Sequence, residues 1–328
     1  MRRTRDIEDP GPWHDGPVNT CRLICALRLA AAGLLAGPAL PAPACEGPVV
    51  SLVVPYPAGG SMDAVMRLVA DGAGEEAGKT FVLRNVGGAS GALAVQQVLR
   101  QPADGCTVLA GNVNAVILAP LLMPQAGFQP TDLVPLGQVG SADFLVVAAP
   151  GFAAHTLEEL PAAARRAGRP LSAGHPGTET LQHLALPLIE RRLQLPLLRV
   201  PYKGSSVLVN DLIGGHLDIA VVAEPVATPL VARGQLKVLA RLGEWLPSPA
   251  GGRQPPLLGW AGWFVAASTP APARQRLQAA LLAALARPAL QQRLEALGSD
   301  VPDEAQQQRF AATVLADIGL YRQRMQQR

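Results

Sequence analysis

Short runs of apolar residues alternate with amphipathic stretches along most of the chain. The run Val49–Val54 predicts a β-strand, and the 3.6-residue spacing of apolar positions after it predicts a helix from about Asp63 to Glu76. The alternation continues through predicted strands beginning at Phe81 and Cys106, and it resumes after Pro150. Strands that alternate with helices are typical of α/β folds with mostly parallel sheets. The pattern therefore predicts two sets of strand–loop–helix units, followed by a C-terminal strand and three helical segments.

Two local features refine this prediction. Thr156 and Glu159 have the spacing of a capping box, which predicts that a helix begins there. Trp260 and Trp263 lie in an apolar strand, which favours a core position for both. The pattern leaves two topologies open: two sequential domains, or a C-terminal part that returns to the first domain.

The first 44 residues differ from the rest. An apolar run follows Arg22, and Ala42-Pro43-Ala44 has the small-x-small form of a secretory cleavage site. The run is shorter than the ~20 residues of a membrane span. We interpret residues 1–44 as a signal peptide and expect a periplasmic mature protein. Cys45 directly after the site leaves anchoring as a lipoprotein as a less favoured alternative.

Composition excludes several functions. Hydrophobic residues make up 49% of the chain, aromatic residues only 4%, and the net charge is +3, so neither stacked rings nor a basic stripe predicts nucleic-acid binding. Cys45 and Cys106 remain after removal of the signal peptide and can pair in an oxidising compartment, but two cysteines do not form a metal site. No CxxC or HExxH motif occurs, and we expect no metal and no cofactor.

Five predicted strand–helix junctions are rich in glycine or hydroxyl residues. They are PYPAGGSMD (55–63), NVGGASG (85–91), AGNVN (110–114), SAGHPGTETLQH (172–183) and VPYKGSS (200–206). Glycine lets backbone N–H groups approach a ligand, and helix N-termini carry partial positive charge, so such junctions suit a carboxylate or phosphate. A phosphate loop is excluded because GxxxxGK[ST] and GxGxxG are absent.

Single residues at these junctions have structural explanations as well. Ser61 is interpreted first as a helix cap, and Asp63 as an acid that is favourable in the first helical turn. His183 is expected in the core or at a cap. A hydrolase in which Ser61 or Ser172 works with His183 remains an alternative, although no GxSxG motif is present.

The ordered series of loops resembles a known family. PYPAGGSMD is similar to the P[YF]xxGGxxD signature of Bug-type receptors, the periplasmic binding subunits of tripartite tricarboxylate transporters. NVGGASGALAVQQVLRQPADGCTVLAG, VPYKGSS, GGHLDIAV, GQLKVLA and the stretch from Trp260 to Pro270 also have counterparts in order. The resemblance extends from Gly47 to the C-terminal helices.

The resemblance implies an α/β fold of the type II periplasmic binding protein class, with two lobes around a central cleft and two crossover segments. Lobe 1 would comprise residues 45–139 and 251–328, and lobe 2 residues 140–250. It also implies that the lobes close on a small carboxylate, which backbone N–H groups, hydroxyls and water hold. Carried over by position, the expected ligand-binding residues are Tyr56, Gly59, Gly60, Ser61, Asp63, Asn112, Ser172, Gly177, Thr178 and Tyr202.

This sequence departs from the family pattern at several positions. Met62 stands where the family usually has a small hydroxyl residue, and the loop at residues 172–183 is longer, with His175 and Pro176 added. Glu224 follows a strand where an Asp-Asn pair is common; it would repel an anion if it faced the cleft. These departures leave the scaffold secure and the usual ligand in question.

We therefore expect a solute-binding protein and not an enzyme, which captures a small carboxylate by lobe closure and delivers it to a membrane permease. A ligand sensor or adaptor for a signalling partner is the alternative, and the hydrolase is less favoured. We expect a monomer.

Overall fold

The computed structural model describes residues 45–245 and 259–326, so the predicted signal peptide lies outside the described residues. Within these ranges no helix combines the length and the apolar character that crossing a bilayer requires. Two five-stranded sheets carry the fold.

The first sheet has the strand order β2-β1-β3-β10-β4. β1 pairs in parallel with β2 and β3, whereas β10 is antiparallel to β3 and β4. Both faces are covered, and the strands are accordingly apolar over most of their length. The strands are β1 (Val49–Val54), β2 (Thr80–Asn85), β3 (Thr107–Asn112), β4 (Leu133–Ala142) and β10 (Gly259–Ala266).

The second sheet has the order β7-β6-β8-β5-β9. β6 is parallel to β7 and β8, and β5 is antiparallel to β8 and β9. The two sheets thus repeat one arrangement, with a parallel half and an antiparallel half. The strands are β5 (Phe144–Ala148), β6 (Leu171–His175), β7 (Leu197–Pro201), β8 (Ile219–Ala223) and β9 (Lys237–Arg241).

Helices follow most strands and cover the sheets. In sequence they are α1 (Ser61–Ala77), α2 (Ala92–Leu99), α3 (Ala119–Leu122), α4 (Leu160–Ala167), α5 (Leu181–Leu193), α6 (Ser205–Ile213), α7 (Glu224–Ala232), α8 (Leu242–Trp245), α9 (Ala271–Leu285), α10 (Pro288–Ala296) and α11 (Glu304–Gln326). A π-helical segment, Val113–Leu118, precedes α3, and 3₁₀ turns occupy Ala89–Gly91, Pro124–Ala126 and Pro130–Asp132.

The chain passes from the first sheet to the second between Ala142 and Phe144, and it returns between Trp245 and Gly259. This settles the open topology question, because the C-terminal strand β10 joins the first sheet. The two-lobed α/β fold with two crossovers is confirmed. The exact lobe boundaries stay a prediction; β4 continues to Ala142, past the predicted boundary at Val139.

One predicted helix start is wrong. The helix expected at Thr156 begins at Leu160, and the Glu159 carboxylate accepts the backbone N–H of His155 at 2.7 Å instead of completing a capping box with Thr156. Pro161 explains the later start, because proline is accommodated in the first turn of a helix but not in its interior.

Cys45 and Cys106 form a disulfide that ties the first described residue to the start of β3. The backbone N–H of Cys45 also donates to the Asp104 carbonyl oxygen at 2.8 Å. A sulfur that is held in a disulfide is not available for a thioether bond to lipid, so this pairing argues against the lipoprotein alternative.

Candidate functional site

A cavity of about 90 Å³ lies between the two lobes, at the carboxyl ends of β1, β3, β6 and β8. This is the place where open α/β sheets bind ligands. Its volume is several times the minimum that one water needs. The first lobe lines it with Tyr56, Gly60, Ser61, Met62, Val65, Asn112, Val113 and Asn114. The crossovers and the C-terminal part contribute Gly140, Ser141, Ala142, Gly259, Trp260, Ala261 and Ser299. The second lobe contributes Phe144, Pro176, Leu181, Gln182, Ser205, Ala223 and Pro225.

The N-terminus of α1 opens onto this cavity. Its cap is Gly60, and no described side chain caps the helix, so the interpretation of Ser61 as the cap is wrong. Ser61 is instead the first helical residue. The first N–H groups of a helix have no intrahelical partner and carry partial positive charge. Because Gly60, Ser61 and Met62 all line the cavity, this end of α1 can receive an anion.

The N-terminus of α6 lies opposite, in the second lobe. Its cap is Gly204, again without a side-chain cap among the described residues, and Ser205 lines the cavity. Gly204 has φ +116°, and a Cβ there would lie only 2.8 Å from Cδ of Pro57. Glycine is therefore required both for the backbone conformation and for the close approach of the two loops. The loops before these two helix starts approach each other across the cleft, and both starts line the same cavity.

The N-terminus of α5 differs from these two because side chains occupy it. Thr180 Oγ1 accepts the His183 N–H at 3.2 Å, and Oδ1 of Asn114 accepts the Leu181 N–H at 2.9 Å. Nδ2 of Asn114 donates to Oε1 of Gln182 at 3.2 Å. Asn114 thus reaches from the first lobe to the second and closes the helix start that it contacts.

A second polar contact joins the lobes at the mouth of the cleft. The Ser90 hydroxyl donates to the carbonyl oxygen of Thr178. Ser90 lies in a turn with φ +52°, a conformation that is unfavourable for a residue with a side chain. Together with the Asn114 contacts, this bond holds the lobes in a closed arrangement.

Tyr56 and Asn112 form the floor of the cavity beside α1. The Tyr56 hydroxyl and the Asn112 side-chain amide lie 3.1–3.2 Å apart in a paired hydrogen bond, and Oδ1 of Asn112 also accepts the Ala115 N–H at 3.0 Å. Burial raises the pKa of Tyr56 above its usual value, although hydrogen bonds to Asn112 and Asn114 oppose the shift. The phenol is therefore neutral at physiological pH, and it could donate to a ligand only by exchanging its bond to Asn112.

Asp63 does not line the cavity. Its carboxylate accepts the Gly59 N–H at 3.0 Å, Nδ2 of Asn85 at 3.0 Å and two guanidinium N–H groups of Arg67 at 2.9 and 3.0 Å. Burial acts to raise the pKa of Asp63, but the hydrogen bonds from Arg67, Gly59 and Asn85 outweigh it and hold the pKa below its usual value. The carboxylate shapes the glycine loop from inside the first lobe.

Some of the predicted binding residues line the cavity, and others, like Asp63, do not. Tyr56, Gly60, Ser61 and Asn112 lie together at the cavity, and Gly59, Asp63, Ser172, Gly177, Thr178 and Tyr202 do not line it. Oγ of Ser172 donates to Asp218 at 2.9 Å, and the Tyr202 hydroxyl donates to Asp211 at 2.7 Å. The Gly177 carbonyl accepts Oγ1 of Thr180 at 2.8 Å. The roles of all ten residues in binding a solute stay predictions.

Sequence reasoning did not single out Asn114, Gln182 or Ser205. Asn114 and Ser205 belong to junctions that were recognised as glycine- or hydroxyl-rich, and Gln182 lies within the fourth loop. Their place at the cavity depends on how the lobes meet, which no spacing in the sequence encodes.

No charged side chain lines the cavity in residues 45–245 and 259–326. Glu224 does not face it; its carboxylate pairs with Arg241. Nor does that part of the chain hold a group of three His, Cys, Asp or Glu residues arranged for a metal. The negative charge of a bound carboxylate would therefore be stabilised by backbone N–H groups, hydroxyls and side-chain amides.

The geometry gives no support to the hydrolase alternative. His183 does not line the cavity; its ring stacks on His175 at 4.6 Å, and its Nδ1 accepts the Glu179 N–H at 3.2 Å. Oγ of Ser172 is bonded to Asp218 rather than to a histidine.

Comparison with known proteins agrees with the geometry. Residues 65–320 match the model of the tripartite tricarboxylate transporter family receptor. The chain is 29% identical to BugT of Bordetella pertussis, over 69% of this chain and 70% of that protein. It is similar to the solved structure of MatC from Rhodopseudomonas palustris with bound malate (25% identity, 84% and 98% coverage, TM-score 0.73). It is also similar to a second R. palustris protein solved with adipate (26% identity, 85% and 96% coverage, TM-score 0.74).

Proposed function

Because the chain belongs to the tripartite tricarboxylate transporter receptor family, we propose that it is a periplasmic receptor that encloses a small organic acid between its lobes. The family and its structural neighbours are solute-binding proteins rather than enzymes. MatC and the second R. palustris protein hold malate and adipate, which are both carboxylates. The bound solute would make no or few contacts with charged side chains of this chain.

One observation carries the proposal: two uncapped helix starts from opposite lobes, α1 and α6, face the same uncharged cavity. A carboxylate between them accepts N–H groups from both lobes, and each helix contributes partial positive charge. Because one anion then bonds to both lobes, it favours the closed arrangement over the open one. Closure by a ligand that contacts both lobes is the hinge mechanism of two-domain binding proteins.

Tyr56, Ser61, Asn112 and Ser205 supply the side-chain part of this site. Hydrogen bonds to a charged acceptor in a desolvated cleft are stronger than those between neutral groups. The two serine hydroxyls suit an acceptor, and the neutral phenol of Tyr56 can turn to one by exchanging its bond to Asn112. Delivery to membrane permease subunits by a monomeric receptor completes the proposal. A periplasmic sensor that passes the signal to a protein partner would use the same closure.

The test is a thermal-shift panel of mono-, di- and tricarboxylates, aromatic acids and acidic amino acids. A bound carboxylate at 100 times its Kd stabilises the folded state by about 3 kcal/mol and raises Tm accordingly. If no member of the panel moves Tm, the proposed function is wrong. Turnover of a test ester at a rate that depends on His183 would also overturn it.

A charge variant locates the site. Ser61→Asp places a carboxylate at the start of α1, where it suits the helix but repels an anion in the cavity. We expect at least a 100-fold loss of affinity with an unchanged or higher Tm of the free protein, since like charges brought together cost several kcal/mol. Ala271→Asp is the matched control, because it puts the same charge in the first turn of α9 at an exposed position outside the cavity.

A further inference from the structure

The cavity extends from the uncapped helix starts towards the crossovers. Asn112 of β3 is paired with Ala261 of β10, and Ala261 is paired with Gly140 of β4. Neighbouring strands lie about 4.8 Å apart, so the floor continues for about 10 Å beyond Asn112. We call the region beside Tyr56, Ser61 and Asn112 the donor end, and the region beside Ser141, Phe144, Ala223, Pro225, Trp260 and Ser299 the hinge end.

The polar groups of the hinge end are already bonded within the protein. Nε1 of Trp260 donates to Asp317 at 2.8 Å. The backbone N–H of Ser141 donates to the Asp300 carbonyl at 3.0 Å, and that of Glu224 donates to the Asp143 carbonyl at 3.0 Å. Two hydroxyls, those of Ser141 and Ser299, are the polar side-chain groups that the described lining adds there. They can bond a neutral group, but they carry no charge. The start of α7 also lies here, with Ala223 as its cap and no side-chain cap among the described residues. Its partial positive charge is offset by the acidic Glu224 in its first turn, the Glu224 N–H is already bonded, and Pro225 has no N–H to donate.

A second ionised group on the solute would therefore be buried without compensation. In residues 45–245 and 259–326 neither a Lys, Arg or His nor an Asp or Glu lines the hinge end. Burying an unpaired carboxylate or ammonium group in such surroundings is strongly unfavourable. Of the nearby acids, Asp63 is bonded to Arg67, and Glu224 to Arg241, so neither faces an ammonium group in the cavity.

Apart from the polar side chains of Asn114, Gln182 and Ser205, the remaining lining is apolar. Met62 is 6% exposed and follows Ser61 in the first turn of α1, so apolar surface begins directly beside the donor end. Val65 continues that surface one turn later, and Phe144, Pro225 and Trp260 provide it at the hinge end. Met62 is also the position where the resemblance leads one to expect a hydroxyl. The side chain of Met62 provides an apolar wall here that favours methylene or ring carbons.

Resting on the proposed function, we propose that the solute is a monocarboxylate with an uncharged, largely apolar body. Its carboxylate occupies the donor end, and its aliphatic or aromatic carbons lie against Met62 and the hinge end. Dicarboxylates such as the malate and adipate held by the structural neighbours, and zwitterionic amino acids, bind less well because their second charge is buried unpaired. Specificity arises from exclusion at the hinge end, while the donor end recognises the group that all carboxylates share.

Three six-carbon acids test this with matched length: hexanoate, adipate and 6-aminohexanoate, which end in a methyl, a carboxylate and an ammonium group. Titration calorimetry on the mature protein should show hexanoate binding at least 10-fold more tightly than the other two. The four- and eight-carbon series, and benzoate against terephthalate, repeat the comparison at other lengths and shapes. Equal or tighter binding of the doubly charged members would overturn the inference.

The two proposals fail differently. If adipate or another dicarboxylate is the tightest ligand, the receptor function stands and the monocarboxylate inference is wrong. If neither these acids nor the wider carboxylate panel binds, the receptor function itself is wrong.

Two variants test the roles of the apolar wall at Met62 and of the hinge end. Met62→Thr should weaken hexanoate binding about 10-fold and leave adipate binding less affected, whereas Met123→Thr makes the same change outside the cavity and should alter neither. Ala223→Lys adds a cation at a half-buried hinge-end position and should reverse the preference towards adipate. Circular dichroism of each variant checks folding. If the Met62→Thr and Ala223→Lys proteins fold and keep the parent's ratio of hexanoate to adipate affinity, the assignment of the two ends is wrong.

Discussion

The loop before α1 and the loop before α5 look alike in sequence but end differently in the structure. Both follow a parallel strand, contain glycine and lead into a helix at the cleft. At α1 the cap is Gly60, no described side chain caps the helix, and its first residues line the cavity. At α5 the first N–H groups are bonded to Thr180 and to Asn114 from the other lobe. The proposed carboxylate site therefore lies at the glycine-rich helix start whose N–H groups no described side chain has taken.

Asp63 and Asn114 have opposite effects on the helix starts that follow the two loops. Asp63 binds the inner side of the first loop and leaves the helix start open. Asn114 binds the outer side of the second loop and closes the helix start while joining the lobes. In the proposed function the first loop receives the solute, whereas Asn114 bonds the second loop to the other lobe.

Of the substitutions that test this contrast, Asp63→Ala should lower the free energy of unfolding the most. The variant loses every hydrogen bond from Gly59, Asn85 and Arg67, and we expect a loss of about 4 kcal/mol in the free energy of unfolding. Urea denaturation measures it, with Asp71→Ala on the exposed side of α1 as the control. A fall in affinity without a fall in stability would support the alternative that Asp63 contacts the solute.

Acidification should loosen the second loop through His175. This ring is 1% exposed, and burial lowers its pKa to about 4 from 6.5. The neighbouring His183 and Arg199 also disfavour its proton, against the Gly177 carbonyl. Because the folded-state pKa is depressed, the associated stability is fully present above pH 6.5 and is lost as the pH falls towards 4. The total is about 3 kcal/mol.

The measurement for His175 is the free energy of unfolding at several values between pH 7 and 4. His175→Gln should flatten the dependence, and His216→Gln, at an exposed position, should leave it as it is. An equally steep loss in the His175→Gln protein would show that other groups cause it.

Asn114→Ala should have the smallest effect of the three. It leaves the Leu181 N–H and the Gln182 side chain without their partner, which costs about 2 kcal/mol for buried groups. It also frees the start of α5, so the solute-free protein should populate the open arrangement more and show a larger radius of gyration by X-ray scattering. Asn210→Ala on α6 is the exposed control. Unchanged stability and unchanged scattering would contradict the role of Asn114 as the bond between lobes.

Much of the fold could be predicted because it depends on local patterns. The short apolar runs and the amphipathic stretches predicted strands and helices, and the resemblance to the receptor family placed the C-terminal strand in the first lobe, where β10 joins the first sheet. The error at Thr156 came from a capping-box spacing without regard to Pro161, which fixes the start of α4. The pairing of Cys45 with Cys106 was left open by the sequence and is present in the structure.

The site was less predictable than the fold. Tyr56, Gly60, Ser61 and Asn112 meet at the cavity as expected, whereas Ser172 and Tyr202 bond to Asp218 and Asp211 away from it. The hydroxyl-rich composition of a junction indicates that polar groups gather there. It does not indicate whether a protein partner or a solute will use them.

The sequence by itself determined the α/β class, the order of the strand–helix units and the glycines before α1 and α6. Each of these depends on neighbours within a few positions of the chain. The tertiary structure decided which helix start remains open. Asn114 and Leu181 are 67 residues apart and belong to different lobes, so their hydrogen bond exists only when the lobes meet. It also decided that, among residues 45–245 and 259–326, no charged side chain lines the far end of the cavity, because Glu224 pairs with Arg241.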